Sequence, residues 1–290
     1  MKPLSFGSIR NLFFASVVFC ALGASSARAT CSPICDDTNP DGSIKVTNMN
    51  GSFSLFTVLT SGDLNDTNNT FTGPSLLSGN IGIGGHGSFS VSDGTIDGDI
   101  YLNSFGSVTF SGPAHFTAGH SVKHNQDSTL NNALAGALYL SQQAAMETST
   151  NNYTVNGISQ VLTTVNTGNS ITLDPTSSGK VVLNLQDFVM TSGTFTLEGT
   201  AMNTYIINVS RNFSLNNSKI VLDSSMGLVA SHVLFNILGT GSQVSLQQGT
   251  SMQGILLAYD RKVDLSGGKV FGRIVAEQLA ITSGGQAVSQ

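Results

Sequence analysis

Apolar and polar residues alternate in short runs along most of this 290-residue chain, and the runs recur at a fixed spacing. Residues 243–258 (QVSLQQGTSMQGILLA) and 262–276 (KVDLSGGKVFGRIVA) share one frame: Val-x-Leu, a Gly turn, Gly-x-Leu or Gly-x-Ile, then Ala. Val244 precedes Val263 by 19 residues, and Gly254 precedes Gly272 by 18. Gly79-Asn80-Ile81 returns as Gly98-Asp99-Ile100, again 19 residues on, and Phe89 stands 19 residues before Val108. A period near 20, made of short alternating strands and Gly turns, predicts coils that stack because none can bury its apolar face alone.

The same alternation places the elements. The first strand signal is 53–59, followed by a polar loop over 61–75 and short strands at 81–83, 88–91, 99–102 and 107–110. The pattern then changes. Leu130, Leu134 and Leu138, with Ala137, Ser141 and Ala145, follow helical spacing, with Asp127-Ser128 as the expected N-cap, so one amphipathic helix is predicted over 128–149. Its apolar stripe is expected to pack along the coils. Strand signals resume at 180–185 and continue through 194–197, 204–209, 212–215, 219–222, 232–237, 243–246, 254–258, 262–265, 270–275 and 279–281.

The N-terminus departs from this pattern. Lys2 and Arg10 flank an apolar run from Leu12 to Leu22, and Ala27-Arg28-Ala29 supplies small residues at a cleavage site. Residues 1–29 therefore read as a signal peptide, too short in its apolar run to span a bilayer. Neither Cys20 nor Cys31 has the preceding residues of a lipoprotein site, and no second apolar run precedes Gln290, so the expectation is a soluble, exported protein. Residues 30–50 read as a polar leader, and 51–290 as the solenoid domain. Within the leader, Cys31 and Cys35 could pair in an oxidising compartment, closing a loop too small to add much stability.

Charged residues make up only 10% of the chain, where about 25% is ordinary. Cleavage of the signal peptide removes three of the 12 basic residues and none of the 17 acids, so the formal charge moves from −5 to −8. That argues against nucleic acid or an anionic membrane as a partner. It also leaves a surface rich in neutral hydroxyl and amide groups.

The strand order, a long helix and then a run of coils resemble the ice-binding-like β-solenoid family of bacteria and cold-adapted eukaryotes. The resemblance rests on TYIINVSRNFSLNNSKIVL (204–222), HVLFNILGTGSQVSL (232–246), MQGILLA (252–258), FGRIVAEQLAIT (271–282) and SGNIGIG (78–84). The C-terminal stretch is also similar to the choice-of-anchor A domain of bacterial surface proteins. The resemblance implies a mainly β fold: a right-handed discontinuous β-solenoid with one α-helix alongside, in which the N-terminal coils pack beside the C-terminal ones. It further implies a non-enzymatic protein that binds ice on a flat face, helped by Thr-Ala/Gly-x-Thr/Asn motifs. Thr200-Ala-Met-Asn203 fits that motif and Thr191-Ser-Gly-Thr194 nearly does, so Thr191, Thr194, Thr196, Thr200 and Asn203 are the candidate binding residues. Thr194, Thr196, Ser214, Ser245 and Thr282 occupy polar positions of the alternation and could form rows about 4.7–4.9 Å apart. The alternatives are an adhesion module that binds glycan or protein, with a groove around Tyr101, Tyr205 or Tyr259, and a carbohydrate-active β-helix enzyme.

Three further constellations invite chemistry. Asp37, Asn39 and Asp41, with Gly42, match the start of a calcium loop, but Asn48 replaces the closing Glu, so an Asx-rich turn is the favoured reading over a calcium site, and no other cofactor is expected. Asp93, Asp97 and Asp99 cluster as in polysaccharide-cleaving β-helices, although Asp-Gly is also ordinary turn chemistry. His115, His120 and His124 lie close in sequence, but Gly119 favours a loop over a metal-binding helix. Gly82-Ile-Gly-Gly-His-Gly87 precedes a strand, so it is not a phosphate cradle.

Overall fold

The computed structural model describes residues 47–48, 51–62, 68–71 and 76–289. The signal peptide, the Cys31–Cys35 pair and the Asp37, Asn39 and Asp41 loop lie outside the described residues. Among those described, 24 strands join in one hydrogen-bonded sheet, wound into coils of three faces. Face A holds Gly179–Leu185, Asn203–Val209, Val233–Ile237, Phe56–Thr60, Asn80–Ile83 and Ile100–Leu102. Face B holds Val165–Thr167, Phe188–Met190, Phe213–Leu215, Val244–Gln247, Ser88–Val91 and Ser107–Phe110. Face C holds Ile171–Pro175, Gly193–Leu197, Ser218–Leu222, Gln286–Val288, Leu76–Ser78 and Thr95–Asp97. Two long strands, Ser251–Ser266 and Lys269–Thr282, bend through all three faces.

The two repeats sit one directly above the other, with Val244 pairing Val263 and Gly254 pairing Gly272. Their glycines are required where the coils turn. Gly272 has φ 145°, and a Cβ there would lie 2.1 Å from the carbonyl oxygen of Gly254. The N-terminal pair repeats the device, since a Cβ on Gly98 would lie 2.2 Å from the oxygen of Gly79.

The stack is discontinuous in sequence. The last coil meets the first through Ile274↔Val58, Ile281↔Phe71 and Ala287↔Leu77. From there the N-terminal coils continue the stack, Val58↔Ile81 and Ile81↔Ile100, to the level of Ser107–Lys123. The helix Asp127–Met146 then carries the chain back to the opposite end, from which coils descend in order to 269–288. Twenty residues rise about 30 Å, which matches about six strand spacings. Leu130 and Leu134 fill the space over Gly82 and Gly84, where an added Cβ would come within 2.9 and 2.5 Å of them. At the far end, Asn208 Nδ2 donates to Ala144 O at 2.7 Å.

This placement explains the runs Val181–Leu183, Tyr205–Ile207 and Val233–Phe235. Alternate residues point into the coil interior, and the others (Val182, Ile206, Leu234) pack under the helix. A parallel sheet buried on both sides reads as a continuous apolar run.

Local expectations need correction. The helix ends at Met146, short of residue 149, because Ser149 Oγ and Thr150 Oγ1 accept from Asn184 and Val182 N–H groups and draw the chain onto the sheet. The N-cap position is Gln126, and Asp127 instead accepts from Ser104 N and Oγ, which holds its carboxyl below the ordinary value. The buried stripe is Leu130, Ala133, Leu134, Ala137, Leu140 and Ala144, while Ala145 is exposed and Leu138 and Ser141 are half-buried. Within the expected loop over 61–75, Asn68–Phe71 is a strand, paired with Ser88–Val91, that the apolar alternation did not mark. Phe53–Leu55 is a 3₁₀ turn ahead of the strand Phe56–Thr60, and Thr47–Asn48, assigned to the leader, pairs antiparallel with Gly51–Ser52.

Candidate surface-binding face

The faces differ in what they present. Face A is covered by the helix. Face C presents mixed chemistry: the Thr194 column runs Thr194↔Lys219↔Ser251↔Lys269↔Gln286, and the next contains Thr172↔Thr196↔Val221 and Phe271↔Val288. Face B is different. Its middle column runs Val189↔Ser214↔Ser245↔Asp264↔Ala280, and the column beside it contains Gln247↔Ser266↔Thr282. One residue beyond Met190↔Leu215↔Leu246, that second column extends to Asn216 and Thr191. One residue beyond Val91↔Phe110 lie Ser92 and Ser111 at the other end of the stack. Seven described levels of one column therefore carry only neutral hydroxyl or amide side chains. Among the described residues, charge on this face is confined to Asp187, which pairs with Arg211, and to Lys262 and Asp264. Accepting from Arg211 and Asn212 holds the Asp187 carboxyl below its ordinary value.

The five candidate binding residues do not share a plane. Thr191 stands at the edge of face B, whereas Thr194 and Thr196 belong to face C. Thr200 and Asn203 form the corner between faces C and A. Asn203 Oδ1 accepts from Thr200 N at 2.9 Å and from Thr200 Oγ1 at 3.0 Å, and its Nδ2 donates to Ser177 O at 3.0 Å. Asn203 is 1% exposed, so the Thr-x-x-Asn spacing here closes a turn, and the side chain is withheld from any surface array. Of the other polar positions, Ser214, Ser245 and Thr282 lie on face B. Asn216, Gln247 and Ser266 were missed because they sit at strand ends beside turns, outside the period-2 runs. Only a count of one position past each strand would have found them.

The carboxylate and histidine clusters partly converge. Asp97 accepts from Thr117 Oγ1 at 2.6 Å, and Asp99 from Ser121 N at 2.8 Å. His120 lies between them, 3.6 Å from Asp97 and 3.8 Å from Asp99, and Lys123 Nζ is 3.7 Å from Asp99. These bonds tie one coil to the next. His115 contacts Pro113 O at 3.0 Å, apart from that group, and His124 is exposed. Among the described residues, no group of three His, Cys, Asp or Glu side chains is arranged to hold a metal ion. The three tyrosines do not line one groove: Tyr205 is buried, Tyr101 packs edge-on to Phe56 at 5.3 Å, and Tyr259 borders a hollow of about 420 Å³ with Ser61, Thr240, Asp260 and Glu277.

Residues 49–288 match the family model of the ice-binding-like adhesive domain. The chain belongs to that family. No curated protein sequence matches it. Among solved structures, this ice-binding-like adhesive domain is similar to an ice-binding protein of the Antarctic ascomycete Antarctomyces psychrotrophicus, at 15% identity and TM-score 0.48, covering 81% of this chain and 95% of the other. A glycosylated ice-binding protein (LeIBP) from Arctic yeast gives 15% identity and TM-score 0.49, over 82% and 92%. An ice-binding protein from an Antarctic Flavobacteriaceae bacterium gives 17% and 0.49, over 82% of this chain and 45% of that one.

Below face B, Arg261 closes the corner with face A. It is 2% exposed, and its guanidinium donates only to backbone carbonyls: Gly239 at 2.9 Å, Ser242 at 3.1 Å, Leu238 at 2.6 Å, Ser210 at 3.4 Å, and Arg211. One side chain thus fastens three successive coils at the margin of face B. No helix among the described residues is long and apolar enough to cross a membrane.

Proposed function

We propose that this domain is an exported, non-catalytic module that holds an extended hydroxyl-bearing surface, ice in the first instance, through face B. The observation that carries the reading is the neutral column Thr191, Asn216, Gln247, Ser266 and Thr282 beside Ser214 and Ser245. Strand pairing fixes the step along such columns at about 4.8 Å, so the donors and acceptors are pre-positioned for a periodic partner. Membership of the ice-binding-like family supports ice as the first ligand to test. Face C is less suited because Lys219 and Lys269 interrupt it.

Ice-affinity partitioning, thermal hysteresis and recrystallisation inhibition test this directly. The wild-type protein is expected to partition into ice and restrain crystal growth, and Ser245→Tyr to abolish both without changing the melting temperature. A wild-type protein with no ice activity would sink the ice reading. The second reading, adhesion to a glycan, is favoured by the unequal lengths of Asn216, Gln247 and Ser266, which roughen the plane. Export rests on the apolar run Leu12–Leu22 and on Ala27 and Ala29; a secreted form whose N-terminus is Thr30 is the expected product by mass spectrometry.

A further inference from the structure

Face B is not uniformly flat. Between the Asn216 and Ser283 levels it holds an open hollow of about 690 Å³, lined among others by Asn216, Gln243, Ser245, Gln247, Asp264 and Ser266. We infer that this hollow is a subsite for a short stretch of neutral polysaccharide. The inference rests on face B being the binding face and names the ligand class for one part of it.

Three properties carry it. The volume falls within the range of ligand-sized clefts, about 300–1,000 Å³. The lining side chains are polar, and Asp264 is the one ionic group among them. Asn216, Gln243 and Gln247 each offer two donors and an acceptor, Ser245 and Ser266 offer both, and Asp264 only accepts. A partner that satisfies all of them must itself carry many groups that donate and accept at once, as the hydroxyls of a sugar do. A protein partner would need an apolar centre to its interface, which this lining does not supply. An anionic polymer would meet the carboxylate of Asp264 in the lining. Concavity and unequal side chains also set this segment apart from a planar crystal face. Finally, the hollow spans four successive levels, since Asn216, Ser245, Asp264 and Ser283 belong to consecutive coils, so it runs along the stack as a linear polymer would. Gln243 Nε2 donates to Asp264 Oδ2 at 3.5 Å, a long contact that leaves the carboxylate room to accept from incoming hydroxyls.

Affinity electrophoresis of the full chain through gels containing soluble β-glucan, α-mannan or galactan, with polygalacturonate as the charged control, tests the inference. At least one neutral polymer is expected to retard the wild-type protein. Asp264→Ala and Gln247→Ala should each weaken that retardation about tenfold, with Lys219→Ala on face C unchanged and circular dichroism unaltered in all three. Retardation by polygalacturonate alone, by no polymer, or undiminished from wild type in both Asp264→Ala and Gln247→Ala, overturns it. Ice partitioning of the same proteins separates the two ideas: ice activity that Ser245→Tyr removes, with no polysaccharide bound, defeats the subsite and leaves face B standing.

Discussion

Arg261 shows how much of this fold depends on single side chains at corners. A buried guanidinium without a carboxylate must have its donors satisfied otherwise, and here five carbonyl oxygens do so. Arg261→Ala leaves those carbonyls unpaired in a buried place and is expected to lower unfolding free energy by about 3 kcal/mol, measured from the denaturant midpoint. Arg261→Lys should recover less than half, because an ammonium has three donors and no planar fork. Tyr205 gives a second residue-scale prediction. Its hydroxyl donates to Glu198 O at 2.7 Å, and burial, with Asp174 and Glu198 nearby, pushes its ionisation well above the ordinary value of about 10. The unfolded chain therefore releases the phenolic proton first. The contribution is complete below pH 10 and falls as pH rises beyond it, by about 1.4 kcal/mol per unit. Tyr205→Phe is expected to flatten the alkaline limb of the stability curve, at a cost of about 1 kcal/mol at neutral pH.

Among elements, the helix and the sheet under it are joined by a ladder that no periodicity marks. Asn236 Nδ2 donates to Asn208 Oδ1 at 2.9 Å and to Ser141 O at 2.9 Å. Asn208 Nδ2 donates to Asn184 Oδ1 at 2.7 Å and to Ala144 O, and Asn184 Nδ2 reaches Glu147 O at 2.9 Å. Ala144 O is one of the last four carbonyls of the helix, which lack an i+4 partner within it, and the Asn208 amide supplies a donor there; Asn184 does the same for the C-cap residue Glu147. Asn208→Ala is expected to cost about 2 kcal/mol and to speed amide hydrogen exchange in the last helical turn more than in Leu130–Leu134. The helix itself, Leu130, Leu134 and Ala137 of its stripe, and most strands before it and from residue 179 onward were legible because burial imposes a period, whereas the strands Tyr153–Val155, Val165–Thr167 and Ile171–Pro175 were not. The Asn ladder was not, because an amide inside an apolar run is read as an interruption until the helix is known to end above it. The strand Asn68–Phe71 escaped for a related reason: its place is set by neighbouring coils, and its own residues carry no alternation. Similarly, the Thr200-x-x-Asn203 spacing matched a surface motif, yet the same atoms satisfy a buried corner.

At the scale of the molecule, the seam between Ile274 and Val58 determines which residues become neighbours on the outer face. It places Thr282 and Ser266 in the same stack as Ser90, Ser92 and Thr109, so face B is assembled from both ends of the chain. The discontinuity is what the family resemblance implies, and the matched repeats at the two ends accord with it. The choice among three faces does not, since Thr and Ser occur on both B and C. Substitution separates the faces at fixed fold. A Tyr side chain on a solvent-facing strand position is compatible with the sheet and adds bulk that lifts any flat partner away. Ser214→Tyr, Ser245→Tyr and Ser90→Tyr, at three levels of face B, are each expected to reduce partition onto ice or onto a retained polysaccharide at least tenfold. Thr194→Tyr and Thr196→Tyr on face C should leave it within about twofold, and all five should unfold at the wild-type temperature. Equal losses from the two faces would place the contact elsewhere. Loss from Ser90→Tyr as well as Ser245→Tyr would mean that the partner crosses the seam, because the two serines lie on opposite sides of the coil where the chain's ends meet.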